Sequence, residues 1–520
     1  MMRKNKKMLL TRLVFLCLIC VHTGQTATAQ SAAERFIQKK AKERKEYVER
    51  QKQKVDAFRL KKWQEFQNYR KQRNKQLIAY MSERWTEIPP EEPIPAPKLP
   101  DPVVPPTAPK HDKKEGKAIA IPHGGVIQPM NPSKPAPKNE IPPIPEELKR
   151  PDLIRKGINL FGTICYIATD GVHKIKMESI DEKNVAKAWA QLGNKTYEQI
   201  IIDCCDAKED MHLNGWAMLN LCKAIADDIQ GKGTNESAVV LVYLMNQLSY
   251  DVQLCIVNNK KLVPIFTSDV ELCLIPRYKI GGKTYNLWCD LTTQSKVLFY
   301  EKLKYLTDVE PISFDHAMHI SFDTRQNTPK QFTSVFNNRM TVTVGVNTSL
   351  VNYYNSLPLI NDWSFYANQP MFPSVKAQVI PPLKRAVAGK SEIDAANDII
   401  HFVQSAFEYE TDEKQFGHER SFFKEELFSF RASDCEDRSI LFSDLIHQIL
   451  GLDVVLLHYP NHLATAVNFK TVFNGHYIEV DGKRYMICDP TCRFSNVGYC
   501  PEKFRKDKPD IYRTYGNGSL

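Results

Sequence analysis

The chain has 520 residues, a formal net charge of +10 and a sequence that is 42% hydrophobic. This length exceeds what one hydrophobic core supports, so we expect two or more folded units. The excess positive charge falls in residues 1–149 and comes with no nucleic-acid-binding motif. This excludes a nucleic-acid-binding protein and indicates solubility or weak surface affinity.

Residues 1–29 have the three parts of a secretory signal peptide. A basic start over residues 3–7 precedes an apolar run over residues 13–21, and small residues follow at 27–29. We expect cleavage and therefore a secreted or periplasmic location, with an uncleaved anchor as the alternative. No other run reaches the ~18 apolar residues of a membrane span, so no transmembrane segment is expected after cleavage.

Residues 30–86 are rich in Lys, Arg, Glu and Gln and nearly free of Gly and Pro, which favours helix. Aromatic residues such as Phe36, Trp63 and Trp85 recur at near-helical but irregular spacing, without a strict heptad. A solvated charged helix, packed at most on its own chain, is the favoured interpretation. The alternative is a helix for self-association or for contact with the cell envelope.

Prolines recur throughout residues 87–149. Such a segment has no capacity to build a core, so we predict a disordered, semi-rigid Pro-rich linker. Residues 30–149 are then expected to be removable without unfolding the rest of the chain.

Residues 150–300 and 301–390 differ in pattern. The first segment predicts a helix over residues 216–226, a second helix from Asn235 to Leu248, a strand over residues 252–257 and a hairpin at 281–282. In the second segment, residues 340–346 alternate between apolar and polar, and residues 363–367 are aromatic. We therefore predict a β-rich segment there.

Residues 391–520 contain a cysteine at a predicted helix start. Ser433 is the expected N-cap, with Glu436 completing a capping box, and Gly451 ends the helix. Cys435 then lies where the helix dipole and free backbone N–H groups favour a thiolate, which is the nucleophilic form of cysteine.

A base and a group to orient it follow Cys435 in the sequence. A strand begins at Asp453, and His462 stands at the head of the next strand. Residues 481–482 are Asp-Gly, a strong hairpin signal, and Asp489 ends the second hairpin strand. Antiparallel pairing would bring His462 beside Asp489 and direct both at the helix start.

Three motifs in this order resemble the transglutaminase-like superfamily: Asp-Cys-Glu-Asp-Arg-Ser, Tyr-Pro-Asn-His-Leu-Ala-Thr-Ala-Val and Tyr-Met-Ile-Cys-Asp-Pro-Thr. The match covers residues 391–500, about a fifth of the chain. The resemblance implies an α+β, papain-like domain with Cys435 as nucleophile, His462 as base and later acid, and Asp489 as the group that orients the imidazole.

The resemblance also implies an oxyanion donor. Tyr409 is the nearest aromatic candidate, and the backbone N–H of Cys435 is the stronger one. We expect no cofactor and no metal, because Cys488, Cys492 and Cys500 are irregularly spaced and have no neighbouring histidine.

The elements of residues 150–300 repeat the order of those in residues 391–500. Placing Asp251 on Asp453 puts Gly233 on Cys435 and Lys260 on His462, while Asp290 matches Asp489. This predicts a degenerate transglutaminase-like domain without nucleophile or base.

These patterns predict a secreted or periplasmic cysteine-dependent acyl-transfer enzyme that acts on peptide or carboxamide bonds of a protein or peptide substrate. Transfer to water gives a protease or amidase, and transfer to an amine gives a transglutaminase; the sequence leaves both open. The competing class is a non-catalytic envelope binding or scaffold protein that carries a transglutaminase-like module.

Overall fold

The computed structural model describes residues 26–95, 105–108, 118–128, 141–288, 296–300, 308–315, 319–460 and 462–514. They divide into a small unit, Met1–Asn68 with Pro142–Lys149, and a large unit, Tyr69–Ile141 with Arg150–Leu520. The helices are α1 Thr26–Met81, α2 Glu182–Gln191, α3 Lys195–Met211, α4 Gly215–Gln230, α5 Asn235–Gln247, α6 Thr348–Ser356, α7 Trp363–Asn368, α8 Pro373–Ala386, α9 Glu392–Ser405, α10 Asp412–Phe416 and α11 Cys435–Leu450.

The strands lie in two larger sheets and three two-stranded pairs within the described ranges. They are β1 Trp85–Glu87, β2 Ile119–Ala120, β3 Val126–Ile127, β4 Lys156–Leu160, β5 Thr163–Ile167, β6 Val252–Val257, β7 Lys261–Phe266, β8 Arg277–Ile280, β9 Lys283–Leu287, β10 Val297–Tyr300, β11 Lys330–Thr333, β12 Thr341–Val344, β13 Glu408–Tyr409, β14 Ala432–Ser433, β15 Asp453–Tyr459, β16 His462–Asn468, β17 His476–Val480, β18 Lys483–Cys488 and β19 Asp510–Arg513. The architecture is α+β, as the sequence predicts.

Helix α1 confirms the helix expected in residues 30–86, and it ends at Met81. In the small unit its surface is charged: Lys40 and Glu43 form an ion pair of 2.8 Å, and Phe36 and Phe58 are exposed. The predicted signal peptide lies mostly in residues 1–25, outside the described ranges. Within those ranges, no helix is both apolar enough and long enough to cross a membrane.

In the large unit, the end of α1 is fixed by buried polar contacts. Arg70 pairs with Glu198 at 2.6 Å, and the buried Arg73 donates to Asn246 Oδ1 at 3.1 Å. Strand β1 then pairs with β10 at the edge of a sheet. This stretch therefore packs on its own chain, and its contacts argue against the expectation that residues 30–149 are removable without unfolding the rest.

The two larger sheets share one strand order. The first sheet runs β1-β10-β6-β7-β9-β8, and the second runs β3-β19-β15-β16-β18-β17-β2. From β10 to β8 and from β19 to β17, every neighbouring pair is antiparallel, and the strands are connected along the chain in the same order. In each sheet a helix, α5 or α11, packs on the two central strands. The repeated order that the sequence suggested is thus present in the sheet topology.

An Asp–Lys pair recurs at the same place in both sheets. Asp251 accepts from Lys283 Nζ at 2.8 Å, and Asp453 lies 3.6 Å from Lys483 Nζ. The aspartate lies at the start of β6 or β15, and the lysine lies at the start of β9 or β18. Each pair therefore fixes the position of the β8–β9 or β17–β18 hairpin beside the two central strands.

The Pro-rich segment contributes strands to the second sheet. β2 pairs with β17 at one edge and β3 pairs with β19 at the other, and Ile121 is buried in the core beneath them. The prediction of a linker with no packing is wrong for residues 118–128. Proline is tolerated in edge strands. The two-residue strands β2 and β3 lie between prolines and form backbone hydrogen bonds with β17 and β19, which are distant in sequence.

Residues 301–390 are less β-rich than predicted. The alternating run becomes β12, paired with β11. The aromatic run over residues 363–367, however, is helix α7, because Asp362 caps it by accepting from Ser364 N. Helices α6 and α8 flank it. A local cap and burial of the aromatic rings override strand propensity here.

Candidate active site

Cys435 is the first residue of α11 and is buried. The N-cap is Asp434, which forms a capping box with Asp437. The expected box of Ser433 and Glu436 is therefore displaced by one residue. The cause is that Ser433 belongs to β14, which pairs with Tyr409 of β13, so the chain turns into the helix one residue later.

His462 and Asp489 are brought together by strand pairing. The β15–β16 hairpin sets His462 opposite Tyr459, and β16 pairs with β18, which ends just before Asp489. His462 Nε2 lies 2.9 Å from Asp489 Oδ2. Asp489 Oδ1 accepts from the backbone N–H groups of Thr491 and Cys492, which fixes the carboxylate.

The electrostatics of this pair favour an imidazolium. Burial lowers the pKa of His462, but the charge and hydrogen bond of Asp489, together with Cys435, outweigh it and raise the pKa to about 10. Burial raises the pKa of Asp489, but His462 and the backbone donors outweigh it and lower the pKa below its usual value. A proton on the imidazole at neutral pH is the state that pairs with a thiolate.

The thiol is contacted from several sides. Leu463 N donates to Cys435 Sγ at 3.5 Å, and the thiol donates to Glu436 Oε2 at 3.2 Å. His462 is stacked beneath Phe504, with centroids 4.8 Å apart and planes 1° from parallel. Imidazole and carboxylate are in direct contact, and the Cys435 thiol is close enough to help raise the pKa of His462. A nucleophilic cysteine needs a base and a group that orients the base, and these side chains can supply both.

Tyr409 lies beside the start of α11. The Arg438 guanidinium carbon is 5.3 Å from its ring centroid. Burial, and then the negative charges of Cys435 and Asp434, raise the pKa of Tyr409, so its hydroxyl stays protonated and able to donate. The aromatic residue that the sequence predicted is therefore near Cys435, and its oxyanion role remains a prediction.

Two supporting residues were not identified from the sequence. Arg438 is buried and donates to the backbone oxygens of Gln404 and Phe407, which ties α11 to the end of α9. The Gln404 amide nitrogen donates to Ser495 O at 3.1 Å in the loop that follows Asp489. Arg438 lies three residues after Cys435. A charged residue on the predicted buried face of the helix was the sequence signal that could have identified it as a supporting residue.

Three buried carboxyl groups lie together near the start of α11. Asp412, Asp434 and Glu436 each place an oxygen within 4.8 Å of the others. Burial and then neighbouring carboxyl groups raise the pKa of all three, that of Asp412 to about 9. These residues are the group in the described chain that could hold a metal ion. Asp434 and Glu436 were visible beside Cys435 in the sequence, whereas Asp412 joins them through the β13–β14 pairing.

The matching position in the first sheet differs from the one predicted. Asn235, not Gly233, is the first residue of α5, and Asn235 Oδ1 accepts from Leu262 N at 2.9 Å. The same contact joins Cys435 and Leu463. Lys261 pairs with Val257 as His462 pairs with Tyr459, so Lys261 replaces Lys260 in the comparison.

The errors at Gly233 and Lys260 have two separate geometric causes. The segment from the helix start to the aspartate before the first hairpin is two residues shorter in the first sheet (Asn235 to Asp251, against Cys435 to Asp453), which moves the helix start from Gly233 to Asn235. The β6–β7 turn is one residue longer than the β15–β16 turn, which moves the strand head from Lys260 to Lys261. The predicted counterpart of Asp489, Asp290, lies outside the described residues. The last described residue in this series is Trp288, beside β9.

Comparisons of the chain with protein-family models, with curated proteins and with solved structures returned no match.

Proposed function

We propose that residues 391–520 form a transglutaminase-like catalytic domain that performs cysteine-dependent acyl transfer on peptide or carboxamide bonds. The observation that carries the proposal is the 2.9 Å contact between the His462 imidazole and the Asp489 carboxylate, beside a Cys435 thiol that helps to raise the pKa of His462. The position of Cys435 at a helix N-terminus adds support, because that position favours a thiolate.

In the proposed reaction, the thiolate of Cys435 attacks the carbonyl carbon of the substrate amide. His462 gives its proton to the leaving amine or ammonia, and a thioester remains on Cys435. Water or a second amine then attacks the thioester and loses a proton to His462. The C–S bond breaks, the acid or new amide leaves, and the Cys435 thiolate and the His462 imidazolium are restored. Water makes the chain a protease or amidase, and an amine makes it a transglutaminase.

The segment of residues 150–300, which contains the first sheet, is proposed to be a degenerate copy of the same domain. Its support is the shared strand order and the equivalent contacts of Asn235 and Cys435. An amide at the nucleophile position and an exposed lysine at the histidine position have no means of forming a thioester. Residues 150–300 would then bind substrate or support the catalytic domain of residues 391–520.

The second candidate is a non-catalytic binding or scaffold protein. It is favoured by the burial of Cys435, which is 6% exposed, and by the acidic groups around it, which oppose a negative thiolate. Under either candidate we propose a secreted or periplasmic location, with α1 available for contact with the cell envelope.

A thiol-reactive amide probe separates the two candidates. We expect the purified chain to be labelled at Cys435, and labelling to be lost in Cys435→Ala but kept in Cys255→Ala. Cys255 is the matched control because it is buried in the first sheet, far from the triad in sequence. Labelling that survives Cys435→Ala, or that is absent from the unmodified chain, would favour the scaffold.

A further inference from the structure

Six large apolar side chains are exposed on one stretch of α1, residues 34–60, which lies in the small unit. Each is 47–62% exposed: Phe36, Ile37, Tyr47, Val48, Val55 and Phe58. Exposed apolar side chains that are scattered singly need no explanation, whereas a contiguous group marks an interaction surface. The positions of these six residues around the helix therefore decide their meaning.

All six residues lie on one side of the helix. Successive residues of an α-helix are rotated by about 100°, so the six occupy an arc of about 120°. The arc keeps its place along the helix because an aromatic residue recurs every eleven residues, at Phe36, Tyr47 and Phe58. Eleven residues make about three turns and drift by only about 20°. An eleven-residue repeat thus accounts for a spacing that does not fit heptads.

The charged residues divide between the two sides of the helix. Residues 34–60 contain ten basic and five acidic residues, a net charge of +5. None of the acidic residues falls in the apolar arc: Glu34, Glu43, Glu46, Glu49 and Asp56. Lys40, Arg44 and Lys54 do fall in the arc. These three residues and the six apolar residues together form the basic–aromatic face.

Lysines accompany the aromatic rings of this face at a constant spacing. Lys40 Nζ is 5.9 Å from the Phe36 ring centroid, and Lys62 Nζ is 5.9 Å from the Phe58 ring centroid two repeats later. A lysine beside a ring can keep its ammonium group at a polar surface while the ring enters an apolar one. The exposed ion pair of Lys40 with Glu43 is too weak to withhold this ammonium group from another anion.

Apolar residues later in α1 are covered by the chain itself. Trp63 and Phe66 are 0% and 6% exposed, and Leu77 in the large unit is 1% exposed. The basic–aromatic face differs from them in being open to solvent along its whole length, so a partner outside the chain is needed to cover it.

The charge of the face decides between a second copy of the chain and a lipid surface. Two copies joined through this face would bring their Lys40, Arg44 and Lys54 side chains together with no acidic residue of the face to pair with them, which is unfavourable. A bilayer with anionic lipids offers hydrocarbon to the rings and phosphate groups to the basic side chains. Aromatic residues combined with Lys and Arg are typical of helices that bind at such an interface.

We propose that residues 34–60 of α1 bind the surface of an anionic phospholipid bilayer, with the basic–aromatic face toward the lipid and the acidic side toward water. At about 1.5 Å per residue, the helix follows the surface for about 40 Å. This inference gives a chemical partner to the envelope contact proposed for α1. It rests on the proposed secreted or periplasmic location and not on the proposed reaction.

Co-sedimentation of the exported, mature chain with lipid vesicles tests the proposal. We expect binding to vesicles of mixed phosphatidylglycerol and phosphatidylcholine, and binding at least about tenfold weaker to vesicles of phosphatidylcholine alone. The triple variant Phe36→Gln, Tyr47→Gln and Phe58→Gln should bind the anionic vesicles at least about tenfold more weakly than the unmodified chain. Glutamine is a good helix former, and circular dichroism checks that the variants keep their helix content.

Two further triple variants with the same net charge separate the face from charge alone. The first removes three basic residues from the face and the second removes three from the other side: Lys40→Gln, Arg44→Gln and Lys54→Gln, against Lys39→Gln, Lys42→Gln and Arg50→Gln. The first variant should bind anionic vesicles at least about tenfold more weakly than the second, because only its missing charges would face the headgroups.

Equal binding of these two variants, equal binding to both kinds of vesicle, or no binding to vesicles would overturn the proposal. Sedimentation equilibrium of the lipid-free chain tests the other occupant. A dimer that the aromatic triple variant dissociates would assign the face to a second copy of the chain. Cys435→Ala should bind vesicles as the unmodified chain does, so a failure of the proposed acyl transfer leaves this result intact.

Discussion

The two large sheets have the same strand order but different residues where the chemistry would occur. In the second sheet, the first residue of the helix is a cysteine, and the residue at the head of the second central strand is a buried histidine. In the first sheet, these places hold Asn235 and an exposed Lys261. The Asp–Lys pair and the hairpin recur in both. The difference teaches that strand order and turns determine the fold, while the proposed activity depends on a few side chains placed on it.

The strongest test of this comparison substitutes the residue at the strand head in each sheet. We expect His462→Ala to lower turnover of a small amide substrate by about three orders of magnitude, since general acid–base catalysis contributes on that scale. Lys261→Ala should leave turnover unchanged. Rates of acyl transfer for the two variants measure the contrast, and equal rates would show that the two positions do not differ as proposed.

The second test concerns residues 118–128, which pack on the second sheet and have no counterpart in the first sheet. Ile121 is 5% exposed in the core of that sheet, whereas Ile119 of β2 is 41% exposed. We expect Ile121→Ala to lower the free energy of unfolding by about 2–4 kcal/mol, the usual cost of truncating a buried isoleucine. Ile119→Ala should cost less than about 0.5 kcal/mol. Urea unfolding measures both, and similar losses would mean that the segment does not pack on the sheet.

The third test concerns the end of α1, which packs against α5, the helix of the first sheet. Arg73 is buried and donates to Asn246 Oδ1, so Arg73→Ala leaves that oxygen without this partner. We expect a loss of about 1–3 kcal/mol of stability, which is the cost of a buried polar group left unpaired. Arg50 is exposed on the same helix, and Arg50→Ala is the control. Should both variants melt alike, the end of α1 would not stabilise the large unit.

Several features could be predicted from the sequence because their signals are local. The helix after Cys435, the strand from Asp453 and the Asp-Gly hairpin depend on periodicity, a glycine stop and a turn, and all are found. The resemblance to a known superfamily then identified the three residues that the structure brings together at His462, Cys435 and Asp489.

The features that escaped prediction depend on partners far away in the chain. The β2 and β3 strands exist only because β17 and β19 offer free edges. Asp412 reaches Asp434 only through the pairing of β13 with β14. Asn235 was missed in favour of Gly233 because the segment from the helix start to the following strand is two residues shorter in the first sheet, which a constant offset in numbering does not reveal.

The last expected effect is a pH dependence of stability from His462, a group that has no counterpart in the first sheet. The pKa of His462 is raised to about 10 in the folded chain, against about 6.5 for a free histidine. Its stabilising contribution is therefore complete below about pH 6.5 and is lost as the pH rises through about 10. Between these limits the folded state holds a proton that the unfolded state has released, so stability falls by at most about 1.4 kcal/mol per pH unit.

His462→Gln should remove this slope, because it removes the titrating group, and Lys261→Gln should retain it. Unfolding free energies from urea titration between about pH 7 and about pH 9 compare the two variants with the unmodified chain. The comparison is made as a difference between chains, so the titration of groups common to all three cancels. A slope that persists in His462→Gln would place the responsible proton elsewhere, and the imidazolium would no longer distinguish the second sheet from the first.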